Sequence, residues 1–182
     1  MNLNDKILIT GGEGMVGTFL AQQLKTMGYS QVICLSRKVC DLMDWEKTKS
    51  YFLNLKPDYV FHLAAAVFGI MGNMQQKGLS FFHNTLINTH VVEASRLAQV
   101  KKIVAMGSGA AYPYPSPGLP LKEEMIWSGK PHAAEDSYGH AKRAMLAQLI
   151  AYQENYNLDY AFVISCNLYG PYDKFGIHQI GR

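Results

Sequence analysis

Lys6-Ile-Leu-Ile-Thr10-Gly11-Gly12-Glu13-Gly14-Met15-Val16-Gly17 is the stretch that decides the fold. Residues 6–10 are an apolar, β-branched-rich run cut off at once by glycines, which reads as a short buried strand. Residues 15–27 follow with helical periodicity, carrying Val16, Phe19, Leu20 and Leu24 on one stripe and meeting Gly28 as a stop. The turn between them has the skeleton Gly11-x-x-Gly14-x-x-Gly17. Gly11 permits a tight turn, Gly14 lets a pyrophosphate approach the backbone, and Gly17 lets the helix pack close to the sheet. Amides at the start of the helix, aided by its dipole, then face negative charge. Gly12, Met15 and Val16 complete this turn and are grouped with the three glycines as expected dinucleotide-binding positions.

Outward from this unit, apolar runs alternate with helical stretches. Residues 31–36, 59–63, 102–106 and 160–166 read as further strands; residues 45–55, 79–98 and 137–156 read as helices, the first ended by Pro57. Five strands with crossover helices predict an α/β fold built on a doubly wound parallel sheet. Residues 109–135, with Pro113, Pro115, Pro117, Pro120 and Pro131, break the rhythm as a long structureless connection, either a binding loop or an exposed insertion.

The end of the second strand bears on the ligand. A protein that binds NAD usually places a carboxylate there for the ribose 2′-hydroxyl. This chain has Ser36-Arg37-Lys38 instead, and two cations in that place suit a 2′-phosphate, so the expected cofactor is NADP(H).

A second motif is Tyr138-Gly-His-Ala-Lys142. Residues four apart share a helix face, and an ammonium beside a phenol favours the phenolate, which makes Tyr138 a proton donor or acceptor. The strand before it ends in Gly107-Ser108, so that the Ser108 hydroxyl is expected at the carboxyl edge of the sheet, where such folds bind ligands. Ser108, Tyr138 and Lys142 are therefore the candidate catalytic residues.

Bulk composition narrows the alternatives. The 182 residues are 48% hydrophobic, enough for one sizeable core, and 17 Lys and Arg against 14 Asp and Glu give a net charge of +3. That excess is too scattered to point to nucleic acid. The amino terminus lacks the pattern of a signal peptide, and the longest apolar run, residues 59–72, is too short for a membrane span. Cys34, Cys40 and Cys166 form no zinc or redox spacing and suit reduced thiols in a cytoplasm. His83 and His90 share a helix face, but no Cys or carboxylate cluster joins them, so no metal site is expected.

With these residues in view, the sequence resembles the extended short-chain dehydrogenase/reductases, also called NAD-dependent epimerase/dehydratases, and within them the GDP-L-fucose synthase branch. The carriers are Gly14-Met-Val-Gly17, Asp41-Leu42-Met43-Asp44, His62-Leu-Ala-Ala-Ala66, Met106-Gly-Ser108, Tyr112-Pro113, Tyr138-x-x-x-Lys142 and Asn167-Leu-Tyr-Gly-Pro171. The resemblance implies a Rossmann fold and a reaction on a nucleotide sugar, a GDP-4-keto-6-deoxy sugar, whose keto group is reduced after epimerisation at two neighbouring carbons. It implies that Tyr138 protonates the developing alkoxide, that Lys142 holds the nicotinamide ribose and lowers the tyrosine pKa, and that Ser108 polarises the keto oxygen. Asp41 and Leu42 would flank the adenine, Ala64, Ala65 and Ala66 would line the cofactor channel, Ser165, Asn167 and Leu168 would pass beside the nicotinamide, and Met106 is a further cofactor-binding position; His178 stands where the family has a downstream histidine, at a shorter spacing. Cys166, as a strand residue, is expected to be a small buried hydrophobe.

The family places a cysteine two residues after the catalytic serine for epimerisation, and this chain has Ala110, so reduction is the better supported half of the reaction. Other readings are a cofactor-binding regulator without turnover and another nucleotide-sugar epimerase or dehydratase. The resemblance also implies a smaller carboxyl-terminal domain that grips the nucleotide sugar; residues 1–182 are then the NADP-binding domain, with the substrate domain largely absent. Pairing of two copies through residues 79–98 and 137–156 would make a homodimer.

Overall fold

The structure, a computed structural model, describes residues 1–173. Strands β1 (Lys6–Thr10), β2 (Gln31–Leu35), β3 (Tyr59–His62), β4 (Lys102–Met106) and β5 (Tyr160–Val163) form one sheet in the order β2-β1-β3-β4-β5, with every pairing parallel. Helices α1 (Met15–Thr26), α2 (Trp45–Leu55), α3 (Gly69–Gln75), α4 (Lys77–Leu97) and α5 (Asp136–Tyr156) complete the fold. The chain runs outward to β2, returns, and then builds in the other direction from β3. The reversal lies between β1 and β3, and a crevice opens there at the carboxyl ends of the strands.

Side-chain alternation along β1 sorts the core into two layers. Ile7 and Ile9 pack on Ala21 and Leu24 of α1. Leu8 points the other way, into a larger cluster with Phe52 of α2, Val91 and Val92 of α4, and Met145 and Leu149 of α5. Ile7, Leu8 and Ile9 are fully buried, and each contributes about 1.5–3 kcal/mol by leaving water. At the opposite edge of the sheet the Lys101 ammonium bridges Asp5 at 3.1 Å and Asp58 at 2.9 Å. The Lys6 amide and Lys101 hold the Asp58 carboxyl below the usual range.

Local sequence explains several boundaries. The Asp44 carboxylate caps α2 by accepting the Lys47 amide proton at 3.1 Å, and Lys56, left-handed at φ 48°, ends the helix before Pro57. Other expectations need correction. The apolar run after β3 contains a helix, α3, and α4 begins at Lys77, two residues before the expected start. The expected α1 stripe is rotated: Gly17, Ala21 and Leu24 are buried, while Phe19 is 42% exposed and meets the Tyr172 ring at 5.6 Å. The helix rides so close to the turn that only small residues fit between. β5 stops at Val163, because pairing with β4 ends at Met106. Cys166 therefore lies beyond the sheet and is exposed, not buried in a strand.

Candidate active site

The glycine turn occupies the crevice between β1 and β3. Gly11 has φ +70°, and a Cβ there would lie 2.9 Å from the Ala64 amide nitrogen, so conformation and space both demand glycine. A Cβ at Gly17 would collide with the Gly11 carbonyl and come within 2.7 Å of Gly12 Cα. Gly12 is needed for packing against β2, since its Cβ would come within 2.6 Å of Cys34 Cβ. Gly14 differs. A Cβ there would meet only the Gly11 carbonyl, at 3.2 Å, and no side chain caps the amides that follow in α1. The backbone at Gly14 is thus open to an incoming group, at a helix end that favours negative charge.

Beside this turn lies a cleft of about 280 Å³. It is lined by Gly11, Gly14, Ser36, Arg37, Asp41, Leu42, Ala64, Ala65 and Ala66, as the sequence led us to expect. Glu13, Leu35, Cys40, Met43, Leu63, His83 and Ile87 also line it and were not anticipated. His83 and Ile87 stand one helical turn apart on α4, a spacing that marks a shared face but not which cleft it faces. Gly12, Met15, Val16, Gly17 and Lys38 are not part of the lining. Gly12 and Gly17 shape the turn from behind, Met15 Sδ lies 3.8 Å from the Cβ position of Gly170, and Lys38 is exposed.

A carboxylate is present at this end of the cleft after all. Arg37 Nη2 pairs with Asp41 Oδ2 at 3.2 Å, and Asp41 also accepts the Met43 amide proton at 3.1 Å. The Arg37 side chain is 80% exposed. An ion pair so open to water is worth about 0–1 kcal/mol, so the guanidinium can turn to a dianionic phosphate at small cost.

The second group gathers at the end of β4. Ser108 is extended, and its Oγ accepts the Ala110 amide proton at 3.2 Å, capping a short 3-10 turn over Gly109–Ala111. Lys142, 1% exposed, reaches from α5 to donate to the Met106 carbonyl at 2.8 Å. Its ammonium lies 5.6 Å from the centre of the Tyr138 ring. Met106 thus serves the site through its backbone. Gly139 packs on the Ala110 carbonyl so tightly that a Cβ would collide with it. That contact brings the first turn of α5, with Tyr138, against the segment that carries Ser108. Lys142 thus meets both the Tyr138 ring and the end of β4, two residues before Ser108.

Arg143, adjacent to Lys142, was missed. It is 8% exposed and donates through Nε to the Ala111 carbonyl and through Nη1 to the Gly129 carbonyl, both at 2.7 Å. It pins both stems of the 109–135 connection, which is not structureless: it holds two 3-10 turns and closes at its neck through a Pro113–Pro131 bridge and a 2.8 Å hydrogen bond from the Tyr114 amide to the Lys130 carbonyl. An arginine on the buried face of a helix was the available signal.

Past β5, the Ser165 carbonyl accepts the Gly109 amide proton at 2.8 Å, which places Ser165 beside the Ser108 turn. Asn167 and Leu168 follow as exposed residues, and His178 lies outside the described residues. His90 Nδ1 is 2.8 Å from the Leu42 carbonyl and ties α4 to the cleft wall. Among the described residues no group of three His, Cys, Asp or Glu could hold a metal ion, and no helix is long and apolar enough to cross a membrane.

A doubly wound parallel sheet with an open glycine turn at its reversal point, Ser108 just past the end of β4, and Tyr138 and Lys142 on α5 together make the architecture of a Rossmann-type dinucleotide-binding domain. The chain belongs to the NAD dependent epimerase/dehydratase family, whose model matches residues 7–181. It is 36% identical over 171 residues to a GDP-L-fucose synthase of Dictyostelium discoideum, covering 93% of this chain and 53% of that protein. Among solved structures, it is similar to a GDP-mannoheptose C4 reductase from Campylobacter jejuni with NADP bound (33% identity, TM-score 0.89, 93% of this chain and 54% of that one). It is also similar to a GDP-L-fucose synthetase from Naegleria fowleri bound to NADP (30% identity, TM-score 0.89, 100% and 56%). The chain spans about half the length of the curated relatives it matches.

Proposed function

We propose that this chain is the cofactor-binding and proton-transferring part of an NADP(H)-dependent nucleotide-sugar reductase acting on a GDP-4-keto-6-deoxy sugar. The observation that carries the reading is the buried Lys142 ammonium held against the Tyr138 ring and the Met106 carbonyl, with α5 packed on the Ser108 turn past β4, in the same sheet whose glycine turn is open at Gly14. That opening fits a pyrophosphate: a Cβ at Gly14 would occupy the approach, and the α1 amides behind it have no side-chain cap. The relatives with NADP bound support the choice of dinucleotide.

The dinucleotide, when bound, supplies the reducing equivalents. Gly11, Gly14 and the following amides would hold its pyrophosphate, Ala64–Ala66 its flank, Asp41 and Leu42 its adenine, and Arg37 its 2′-phosphate. Tyr138 hands its phenolic proton to the sugar oxygen as negative charge develops there, and the Lys142 ammonium beside the ring stabilises the phenolate left behind. The Ser108 hydroxyl donates a hydrogen bond to the same oxygen. Ala110 offers only a methyl group in this turn, so the chemistry assigned to the site is reduction and not proton exchange at the neighbouring carbons. The described residues, 1–173, would make up the cofactor domain. The three cysteines are free, which fits a reducing compartment and leads us to propose the cytoplasm.

Titration of protein fluorescence with NADPH and NADH tests the cofactor assignment. NADPH should bind at least about tenfold more tightly, since charge-assisted hydrogen bonds are worth about 1.5–3 kcal/mol. Arg37→Ala should erase that preference while leaving NADH binding near the parent value. Tighter binding of NADH to the parent would reject the role of Arg37.

The exposed Leu79, Phe81 and Phe82 on α4 lie on one of the two long helices and support a homodimer through α4 and α5. Sedimentation velocity should find a dimer at micromolar concentration, and Phe82→Glu should convert it to monomer; a monomeric parent would overturn the pairing.

A further inference from the structure

Beneath the cleft runs a chain of polar side chains to which catalysis as described assigns no task. Thr10, His62 and Asn88 are 0, 0 and 1% exposed. The Ala64 amide donates to Thr10 Oγ1 at 3.3 Å. Thr10 Oγ1 lies 2.8 Å from His62 Nδ1, and His62 Nε2 lies 3.0 Å from Asn88 Oδ1. Asn88 Nδ2 donates to the Ala141 carbonyl at 3.3 Å.

With a neutral ring, one proton arrangement satisfies every link. The Ala141 carbonyl can only accept, so the Asn88 amide group turns its NH₂ to α5 and its oxygen to the ring. His62 Nε2 must then carry the proton. Nδ1 keeps its lone pair and accepts the Thr10 hydroxyl proton, which leaves the hydroxyl oxygen to accept from Ala64. Neutrality of the ring has a physical cause: complete burial, aided by the positive charge of Lys142, pushes His62 down to about 3, and the Asn88 hydrogen bond recovers only part of that shift.

The ends of the chain matter more than its middle. Ala64 lines the cleft and lies against Gly11 of the glycine turn. Ala141 is the residue before Lys142 and three after Tyr138. Apolar packing between β1, β3, α4 and α5 would tolerate sliding, whereas directed hydrogen bonds with one proton arrangement fix an orientation.

We infer that the chain Ala64–Thr10–His62–Asn88–Ala141 is a positioning device, holding the Tyr138–Lys142 helix at a set distance and rotation from the glycine turn that cradles the dinucleotide. Thr10, His62 and Asn88 are positioning residues and touch neither substrate nor cofactor. The inference rests on the proposed function for what its two ends do; the existence of the coupling does not.

Two measurements on the protein test it. In nitrogen–proton correlation spectra of the histidine rings, His62 should be neutral with its proton on Nε2 throughout about pH 5 to 8; a proton on Nδ1, or titration in that interval, overturns the inference. Thr10→Val and Asn88→Leu then cut opposite ends. Thr10→Val should speed amide exchange in the first two turns of α5, and Asn88→Leu should speed it at residues 11–14 and 64–66, each by at least about tenfold. Each should weaken NADPH binding on the order of tenfold, with the double variant no worse than the weaker single, because both cut one chain. Effects confined to the mutated end, uniform across the protein, or additive in the double variant overturn it. Thr10→Ser keeps the hydroxyl and should behave as the parent; if Thr10→Val does not fold, loss of coupling in Thr10→Ser would count against the chain. Should the parent itself fail to bind NADPH, the function is wrong, while the ring tautomer and the exchange pattern still decide the coupling.

Discussion

Tyr138→Phe should lower kcat for reduction of GDP-4-keto-6-deoxymannose by about 10²- to 10⁴-fold, the usual worth of a positioned proton donor. The substitution removes one oxygen and keeps the ring, so its contact with Lys142 at 5.6 Å is retained. NADPH affinity should therefore change by no more than about twofold, well under one decade of binding constant. A loss in kcat with the dissociation constant preserved marks a group that acts only as charge develops on the substrate oxygen. Equal rates in the parent and the variant would remove Tyr138 from the chemistry and favour a domain that binds the dinucleotide without turning it over. Titration of the bound cofactor in the same preparations separates this outcome from simple misfolding.

Gly17→Ala is the second substitution with a large expected effect. Its Cβ would meet the Gly11 carbonyl and the Gly12 backbone, which cannot swing aside as a side chain would. Overpacking of this kind costs about 1–3 kcal/mol, and helix propensity, which favours alanine by about 1 kcal/mol, offsets only part of it. Relief requires α1 to lift off the turn, which also moves its amides away from the pyrophosphate. Urea unfolding should show a lower midpoint, and NADPH should bind at least about tenfold less tightly. Gly14→Ala supplies the contrast, because a Cβ there meets only one carbonyl oxygen at 3.2 Å. Its stability should stay within about 1 kcal/mol of the parent while NADPH affinity falls, since the methyl group stands where the phosphate would come. If both variants lost stability and neither lost affinity, the turn would be structural and not a cradle.

The two glycines show how far sequence carries. Spacing marked Gly11, Gly14 and Gly17 as one unit, but it could not separate the glycine that a ligand needs from those that packing needs. It also grouped Met15, Val16 and Lys38 with the glycine turn and the charged loop, and none of the three is among the residues that line the cleft. The Arg37-Lys38 pair was legible as positive charge after β2. That Arg37 leans on Asp41, four residues later, became visible only once the loop between β2 and α2 had a shape. Cys166 was misjudged because strand length was read from an apolar run, whereas a strand ends where its neighbour stops pairing.

What the sequence determined by itself is local: apolar strands, helices with their stops at Gly28 and Pro57, a glycine turn between the first pair, and a tyrosine and lysine one helical turn apart. These follow from backbone preference and side-chain period, which act over a few residues. Tertiary structure alone decided which of these meet: Lys142 with the Met106 carbonyl, Arg143 with both stems of the 109–135 connection, and Thr10 with His62, Asn88 and Ala141. Such contacts join residues tens of positions apart, and a hydrogen bond forms only when the backbone has already set donor and acceptor within about 3 Å of each other in the right direction.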